Sequence, residues 1–241
     1  MTATSAVQRV VRDLRAMGSE KVRTGMLRFG IDEPKAFGIP MGKIQAYSKR
    51  LGRDHARAQA LWATGWYEAR MVAIYTADPA ALTVKEMDAW WKDFASWAMC
   101  DTACWVLYDK SPLAWKRIAP WSKATGEFQK RAAFALLAGL ALHDKQAKDE
   151  TFTPFLPLMA KAANDERNFV KKGVNWALRS IGLRSPELYA RCVQLADELA
   201  AREEASARWI GKDALRYFAT AAAKKRLDSN AQRRLKLRQT K

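Results

Sequence analysis

Apolar residues along this chain recur at three- and four-residue intervals for most of its length, the period of an α-helix with one buried face. Ala, Leu, Lys and Arg dominate and β-branched residues are sparse, so strand signals are nearly absent. Periodic segments fall at about 5–17, 20–30, 41–52, 54–64, 66–77, 83–93, 94–108, 112–122, 126–143, 152–164, 167–182, 186–201 and 203–222. Several carry their own start signals. Thr83-Val-Lys-Glu86 predicts a capping box, in which each end of the motif satisfies an amide that the first helical turn leaves open. Ser111-Pro112 and Ser185-Pro186 each set a cap residue ahead of a proline, whose missing N–H costs nothing in a first turn. The pattern predicts an all-α fold.

Some of the segments resemble one another. Phe128-Gln-Lys-Arg-Ala-Ala aligns with Phe169-Val-Lys-Lys-Gly-Val at a shift of 41, and Trp176-Ala-Leu-Arg179 aligns with Asp213-Ala-Leu-Arg216 at a shift of 37. Paired helices repeating near forty residues predict a HEAT-like helical-repeat solenoid, although a generic bundle of Ala- and Leu-rich helices would share some of this similarity. A single domain is expected over residues 1–223, followed by a flexible basic tail over 224–241.

Which residues oppose the core stripes bears on function. In Asn168–Arg179, Val170, Val174, Ala177, Leu178 and Ile181 share one stripe, while Trp176 falls nearly opposite, between Lys172 and Arg179. An indole among cations on an outward face suits a polyanion that carries flat, apolar groups. In the helix after Glu127, Ala133, Leu136 and Leu140 form the stripe, and Arg131 lies across from it beside Ala135 and Ala138. In the helix after Ser206 the stripe is Ile210, Ala214 and Tyr217, with Arg208, Lys212 and Arg216 on the other side. On any one helix such charges could simply solvate an outer face. Three helices in series predict a basic concave groove.

Charge strengthens that picture. The net charge is +17, and the tail from Lys224 holds eight basic residues against one Asp, which leaves +10 for the rest. Phosphates or an anionic membrane are the partners such a surface fits. The longest apolar run, Ala132 to Leu142, is 11 residues with a glycine inside it, short of the ~20 a membrane span needs. The basic stretch Arg233-Arg-Leu-Lys-Leu-Arg238 lacks the bulky apolar face of an interfacial helix, so no membrane partner is expected. Nor does the N-terminus show an apolar segment with a cleavage site; a cytoplasmic protein, nucleoid-associated if bacterial, is expected. Cys100 and Cys104 stand one helical turn apart with no Cys or His pair at zinc-ligand spacing to complement them, so these two are expected as small buried residues and, with Cys192 far along the chain, no metal or other cofactor is foreseen. With only His55 and His143, a Ser-His-Asp or Cys-His unit finds no support.

The segment 94–108 holds the candidate chemistry. As an α-helix it would turn Met99, Ala103, Val106 and Leu107 to the core and line Trp97, Asp101, Cys104 and Tyr108 along another face. A carboxylate beside an indole is poorly hydrated, so its field on a nearby cation is weakly screened, and the indole face attracts positive charge as well. The pair suits a cationic transition state, such as the oxocarbenium sugar formed when a glycosidic bond breaks. It also suits a surface acid paired with a neighbouring arginine.

Over most of residues 37–220 the chain resembles the AlkD-type DNA alkylation repair glycosylases. The resemblance includes Phe37-Gly-Ile-Pro40, Leu61-Trp62 with Glu68-Ala-Arg70, Trp97-Ala-Met-Cys-Asp101, Lys130-Arg131, the whole of Asn168–Arg179 and Ala207–Arg216. The Trp-x-x-x-Asp element and the later Trp-x-x-Arg are its specific parts. The resemblance implies an all-helical HEAT-like enzyme that excises cationic N3- and N7-alkylpurines from duplex DNA. It makes Asp101 the catalytic carboxylate, Trp97 and Trp176 the indoles at the deoxyribose, and Arg131 and Arg179 holders of the DNA backbone. It implies no deep base-reading pocket. The position after Trp97 is often acidic in that family and is Ala98 here, a departure that bears on substrate range. Two other classes stay open: a non-catalytic nucleic-acid-binding relative, and a protein scaffold, which would have no use for the charge. No obligate protein partner is indicated.

Overall fold

The computed structural model describes residues 3–239, with side chains over 5–233, and every regular element among the described residues is helical. The chain divides into two compact units, Met1–Ala114 and Trp115–Lys241. No helix of the described residues is long and apolar enough to cross a membrane.

The first unit contains α1 (Ala3–Met17), α2 (Glu20–Met26), α3 (Met41–Leu51), α4 (His55–Ala63), α5 (Tyr67–Thr76), α6 (Val84–Lys92) and α7 (Trp97–Thr102). Its central helix is α5, where Tyr67 to Ala69, Met71 to Ile74 and Thr76 are all buried. Neighbouring elements are tied by side chains at a near-constant separation of 30 or 31 residues. The Trp62 indole N–H donates to Asp93 (2.9 Å), Trp90 donates to Gln59 (3.0 Å), and Gln45 donates to Tyr75 (2.9 Å). Trp62 and Trp90 stack face to face at 4.2 Å. The fully buried Glu68 carboxylate accepts the amides of Phe37, Gly38 and Ile39 at 2.9, 2.7 and 3.2 Å, which satisfies a loop that would otherwise bury unpaired donors. Gly38 is required there: its φ is 79°, and a Cβ would lie 2.3 Å from the Ser19 carbonyl.

The second unit contains α8 (Trp115–Trp121), α9 (Glu127–His143), α10 (Leu156–Ala162), α11 (Asn168–Gly182), α12 (Pro186–Ala200), α13 (Ala205–Phe218) and α14 (Ala221–Gln239). Here the ties recur at about forty residues, as the sequence similarity suggested. Glu127 accepts the Phe169 amide across 42 residues and Glu166 accepts the Ser206 amide across 40, so the amide at one helix start is satisfied by an acid from the preceding repeat. Arg202 donates to the Ala160 carbonyl across 42 residues, and Asn175 to the Ile210 carbonyl across 35.

Most expected helix starts are found. The Thr83–Glu86 capping box is formed, and Ser185 caps α12 by accepting the Leu188 amide. Three segments differ. The helix expected to start at Ser111-Pro112 begins only at Trp115, after a turn in which the Ser111 hydroxyl accepts the Leu113 amide at 3.3 Å. Residues 152–164, interrupted by Pro154 and Pro157, form a 3-10 turn before α10. Residues 94–108 are not one α-helix: α7 passes into a π turn over Ala103–Leu107 and then a 3-10 turn over Tyr108–Lys110. The segment expected as a flexible tail from 224 is helical as far as Gln239, in keeping with its Ala, Lys, Arg and Leu content, and Asn230 donates to the Leu183 carbonyl at 2.8 Å.

Candidate nucleic-acid interface and active site

In the first unit the site is built on α7. Ser96, its N-cap residue, does not cap the helix; its hydroxyl donates to Glu33 Oε1 at 2.8 Å. The next residue, Trp97, donates its indole N–H to the Phe29 carbonyl at 2.8 Å, which fixes the plane of the ring. Asp101 follows one turn later on the same side, and both are half-buried. Burial pushes the Glu33 carboxyl above its ordinary range, against the opposing pull of the Ser96 hydroxyl and Arg70.

The π turn changes which residues share that face. Cys104 and Tyr108, expected beside Asp101, are fully buried, whereas Trp105 and Val106 are half-buried. A π turn holds more residues than an α turn, so the next residue in line after Trp97 and Asp101 is Trp105. The carboxylate therefore has an indole one turn before it and one turn after. The signal that could have found Trp105 was its spacing, four residues beyond Asp101 and eight beyond Trp97. Met99, Ala103 and Leu107 lie in the core as expected, whereas Val106, expected with them, is turned out of it by the π turn.

In the second unit the expected stripe of α11 is buried throughout, and Trp176 is half-buried outside it. Arg131 departs from expectation. It retains only 7% exposure, because α9 is enclosed on all sides from Arg131 to Ala141 and the small Ala135 and Ala138 admit close neighbours. Its stem passes over Gly173, where a Cβ would come within 3.4 Å of Arg131 Cγ. The guanidinium donates to the Phe169 carbonyl at 2.7 Å and sits 6.0 Å from the Trp176 ring. Arg131 thus supports α11 and its indole from behind.

The other cations fall into two groups. Lys172, Lys212 and Arg216 are exposed. Arg179 is packed at 3.7 Å over the Tyr217 ring, 3.4 Å from both Asn175 and Asp213. Tyr217, expected in the core stripe, is only half-buried under that guanidinium; Phe218 takes the core place at 1% exposure. Arg208 turns its guanidinium back to the carbonyls of Arg202 and Glu203, just past α12, where the helix end favours a cation. Arg216 also pairs with Asp213 at 2.9 Å. One aromatic on this surface escaped the sequence reading: Trp209, 36% exposed, with Lys171 Nζ 5.4 Å from its ring. Its place beside Arg208, off the Ile210–Ala214 stripe, was the available clue.

Against known families, the profile described as DNA alkylation repair enzyme matches residues 10–218. The chain belongs to this family. The match takes in every residue singled out above on α7, α9, α11 and α13, and it stops at the last residue of α13, so α14 lies beyond it. No curated protein sequence matches significantly. A similar solved structure represents a family of proteins related to the HEAT-like repeat DNA glycosylases with affinity for branched DNA structures. It aligns with a TM-score of 0.69 at 21% identity, covering 87% of this chain and 94% of that one. The fold is accordingly all-α and HEAT-like. At the position after Trp97, where acidic side chains are frequent among the glycosylases the sequence resembles, Ala98 is 7% exposed.

Proposed function

We propose that the protein is a monofunctional glycosylase that excises cationic N3- and N7-alkylpurines, 7-methylguanine and 3-methyladenine among them, from duplex DNA. The observation that carries this reading is the shared half-exposed face of Trp97 and Asp101 on α7, in a chain of the alkylation repair family. The chemistry asks little of the protein. An alkylated purine of this kind is already cationic, so when the bond from C1′ to the base nitrogen breaks, its electron pair goes to the base, which leaves neutral. The deoxyribose is left as an oxocarbenium ion. The Asp101 carboxylate stabilises that charge and takes a proton from the water that adds to C1′. The indoles of Trp97 and Trp176 add their negative faces to the field at the sugar.

In this reading Lys172, Lys212 and Arg216 neutralise phosphates. Arg179, Arg208 and Arg131, whose guanidinium groups are engaged within the protein, act more by shaping the surface than as free cations. The deciding experiment is release of 7-methylguanine from methylated duplex DNA by the wild type and by Asp101→Asn. Release by the first and not the second is expected; equal release would move catalysis away from Asp101.

A second reading, non-catalytic binding to branched DNA, is favoured by the description of the structural relative. It predicts no release by either protein and tighter binding to a four-way junction than to a duplex of equal length.

A further inference from the structure

Beyond the family match, α14 carries seven Lys and Arg residues against one Asp in 19 residues. It is docked on one narrow side. Ala223 is buried, Leu227 and Asn230 are half-buried, and Asn230 donates to the carbonyl of Leu183, just past α11. These three fall within about 60° of one another on a helix. Thr220 caps the start by accepting the Ala223 amide at 3.2 Å. The exposed side is cationic. Lys224, Lys225, Arg226 and Arg233 are all exposed, and among the described residues none of their side chains has a polar partner. They differ in this from Arg131, Arg179 and Arg208, whose guanidinium groups are engaged within the protein. Nor does the helix gain from them: α14 has no acid in its first turn and three successive cations near its start, where the helix dipole disfavours positive charge.

We propose that α14 is a second phosphate-binding element, which extends the hold on duplex DNA beyond the reach of the cations on α11 and α13. The inference goes beyond the glycosylase reading and rests only on its DNA-directed part. A duplex presents one charge about every 1.7 Å of its axis, so a rod about 28 Å long with cations on several sides finds phosphates in any register. Neutralising them frees condensed counterions, a gain that is largest for cations with no partner in the protein. Because α14 is docked before DNA arrives, binding need not order it. The chain enters α14 two residues after α13, whose last turn carries the exposed Arg216, so the new cations follow directly on those already assigned to phosphate. An anionic bilayer fits this helix less well: among the described residues its exposed apolar side chains are alanines, with no bulky face to insert.

The test compares the wild type with Lys224→Gln/Lys225→Gln/Arg226→Gln/Arg233→Gln in the full chain. The melting temperature should not change, because all four side chains are exposed and Gln suits a helix. Both proteins are titrated, by fluorescence anisotropy at several salt concentrations, into undamaged duplexes of about ten and about thirty base pairs. On the longer duplex the variant should bind about tenfold or more weakly at low salt, with a salt slope shallower by about three. On the shorter one the two proteins should differ by less than about twofold. Equal affinities and slopes on the longer duplex would overturn the proposal, and so would an equal loss on both lengths. Binding to phosphatidylserine vesicles that needs the four cations, with unchanged binding to the longer duplex, would overturn it too. Single-turnover release of 7-methylguanine separates this proposal from the glycosylase reading. The same maximal rate is expected from both proteins, with half-saturation at higher concentration for the variant. A length-dependent loss of binding without release by either protein would keep α14 as a DNA contact and remove the glycosylase; release with unchanged binding would do the reverse.

Discussion

The two units solve the same packing problem at different periods. In the first, ties between helices recur at 30 or 31 residues and run largely through aromatic side chains. In the second they recur at 35 to 42 residues and join side chains to backbone amides and carbonyls. The candidate chemistry lies on the less regular unit, where α7 gives way to a π turn, and the serial cations lie on the more regular one. Irregular backbone can aim a single carboxylate, whereas repetition sets cations on helix after helix. Substitutions in the first unit should therefore act singly and strongly, and those in the second in small increments.

The largest effect is expected at Asp101. Asp101→Asn should lower excision by about 10²- to 10³-fold or more, the scale for removing one preorganised charge from a transition state. Binding to undamaged duplex should stay near that of the wild type. A single-turnover assay beside an equilibrium titration checks both, and loss of binding in parallel with excision would erase the contrast between the units.

In the second unit, Lys172→Glu with Lys212→Glu should weaken duplex binding about tenfold or more at low salt, nearly independently of sequence. The salt slope should fall by roughly one for each cation lost. Titrations at several salt concentrations measure it; an unchanged slope would take phosphate contact away from α11 and α13.

Titration should separate the units in sign. Asp165 accepts from Arg167 and from Lys130 at 2.8 Å, which holds its carboxyl well below the ordinary range. Its contribution is fully present above the unfolded value near 3.8 and is lost as pH falls below that value. Asp165→Asn should cost about 2 kcal/mol at neutral pH and little in strong acid. Glu33 runs the other way. Because burial raises its carboxyl, it favours the folded state at low pH, and that contribution is lost as pH rises from the unfolded value near 4.5 through the raised one. Glu33→Gln should then gain stability relative to the wild type toward neutral pH. Denaturant midpoints from pH 3 to 7 test both, and parallel trends would contradict the assignment.

The smallest effect is expected at Trp176. Trp176→Ala should slow excision about fivefold, roughly the 1 kcal/mol of one cation–π contact, without widening the range of bases removed. Hypoxanthine, whose neutral base needs a proton as it leaves, should remain uncut by the wild type and the variant. Its efficient removal would point to a base-reading pocket.

What the sequence could reveal follows from the same contrast. The α11 stripe from Val170 to Ile181 was legible because an amphipathic helix writes its buried face at a fixed spacing. The repeat was legible where it lies near forty residues, between α9, α11 and α13. The shorter period of the first unit rests on pairings such as Trp62 with Asp93, which leave no similarity between adjacent segments. Arg131 was misplaced because a helix enclosed on every side, as α9 is, has no polar face for periodicity to oppose. Cys104 and Tyr108 were misplaced because no residue preference announces a π turn, and an α-helical count carried across it drifts off the true face.

That π turn has a consequence for how such a site can be altered. It stores one residue more than an α-helix needs over the same rise. Deleting one residue between Ala103 and Leu107 would relax the segment to an ordinary α-helix, and the chain beyond it, no longer carrying the stored residue, would keep its place. Only the side chains within the turn would be redistributed around the axis. The surroundings of the carboxylate are thus adjustable by chain length as well as by residue identity. A family drawing on this device could exchange the neighbours of its acid through single insertions and deletions, with no change to the acid itself.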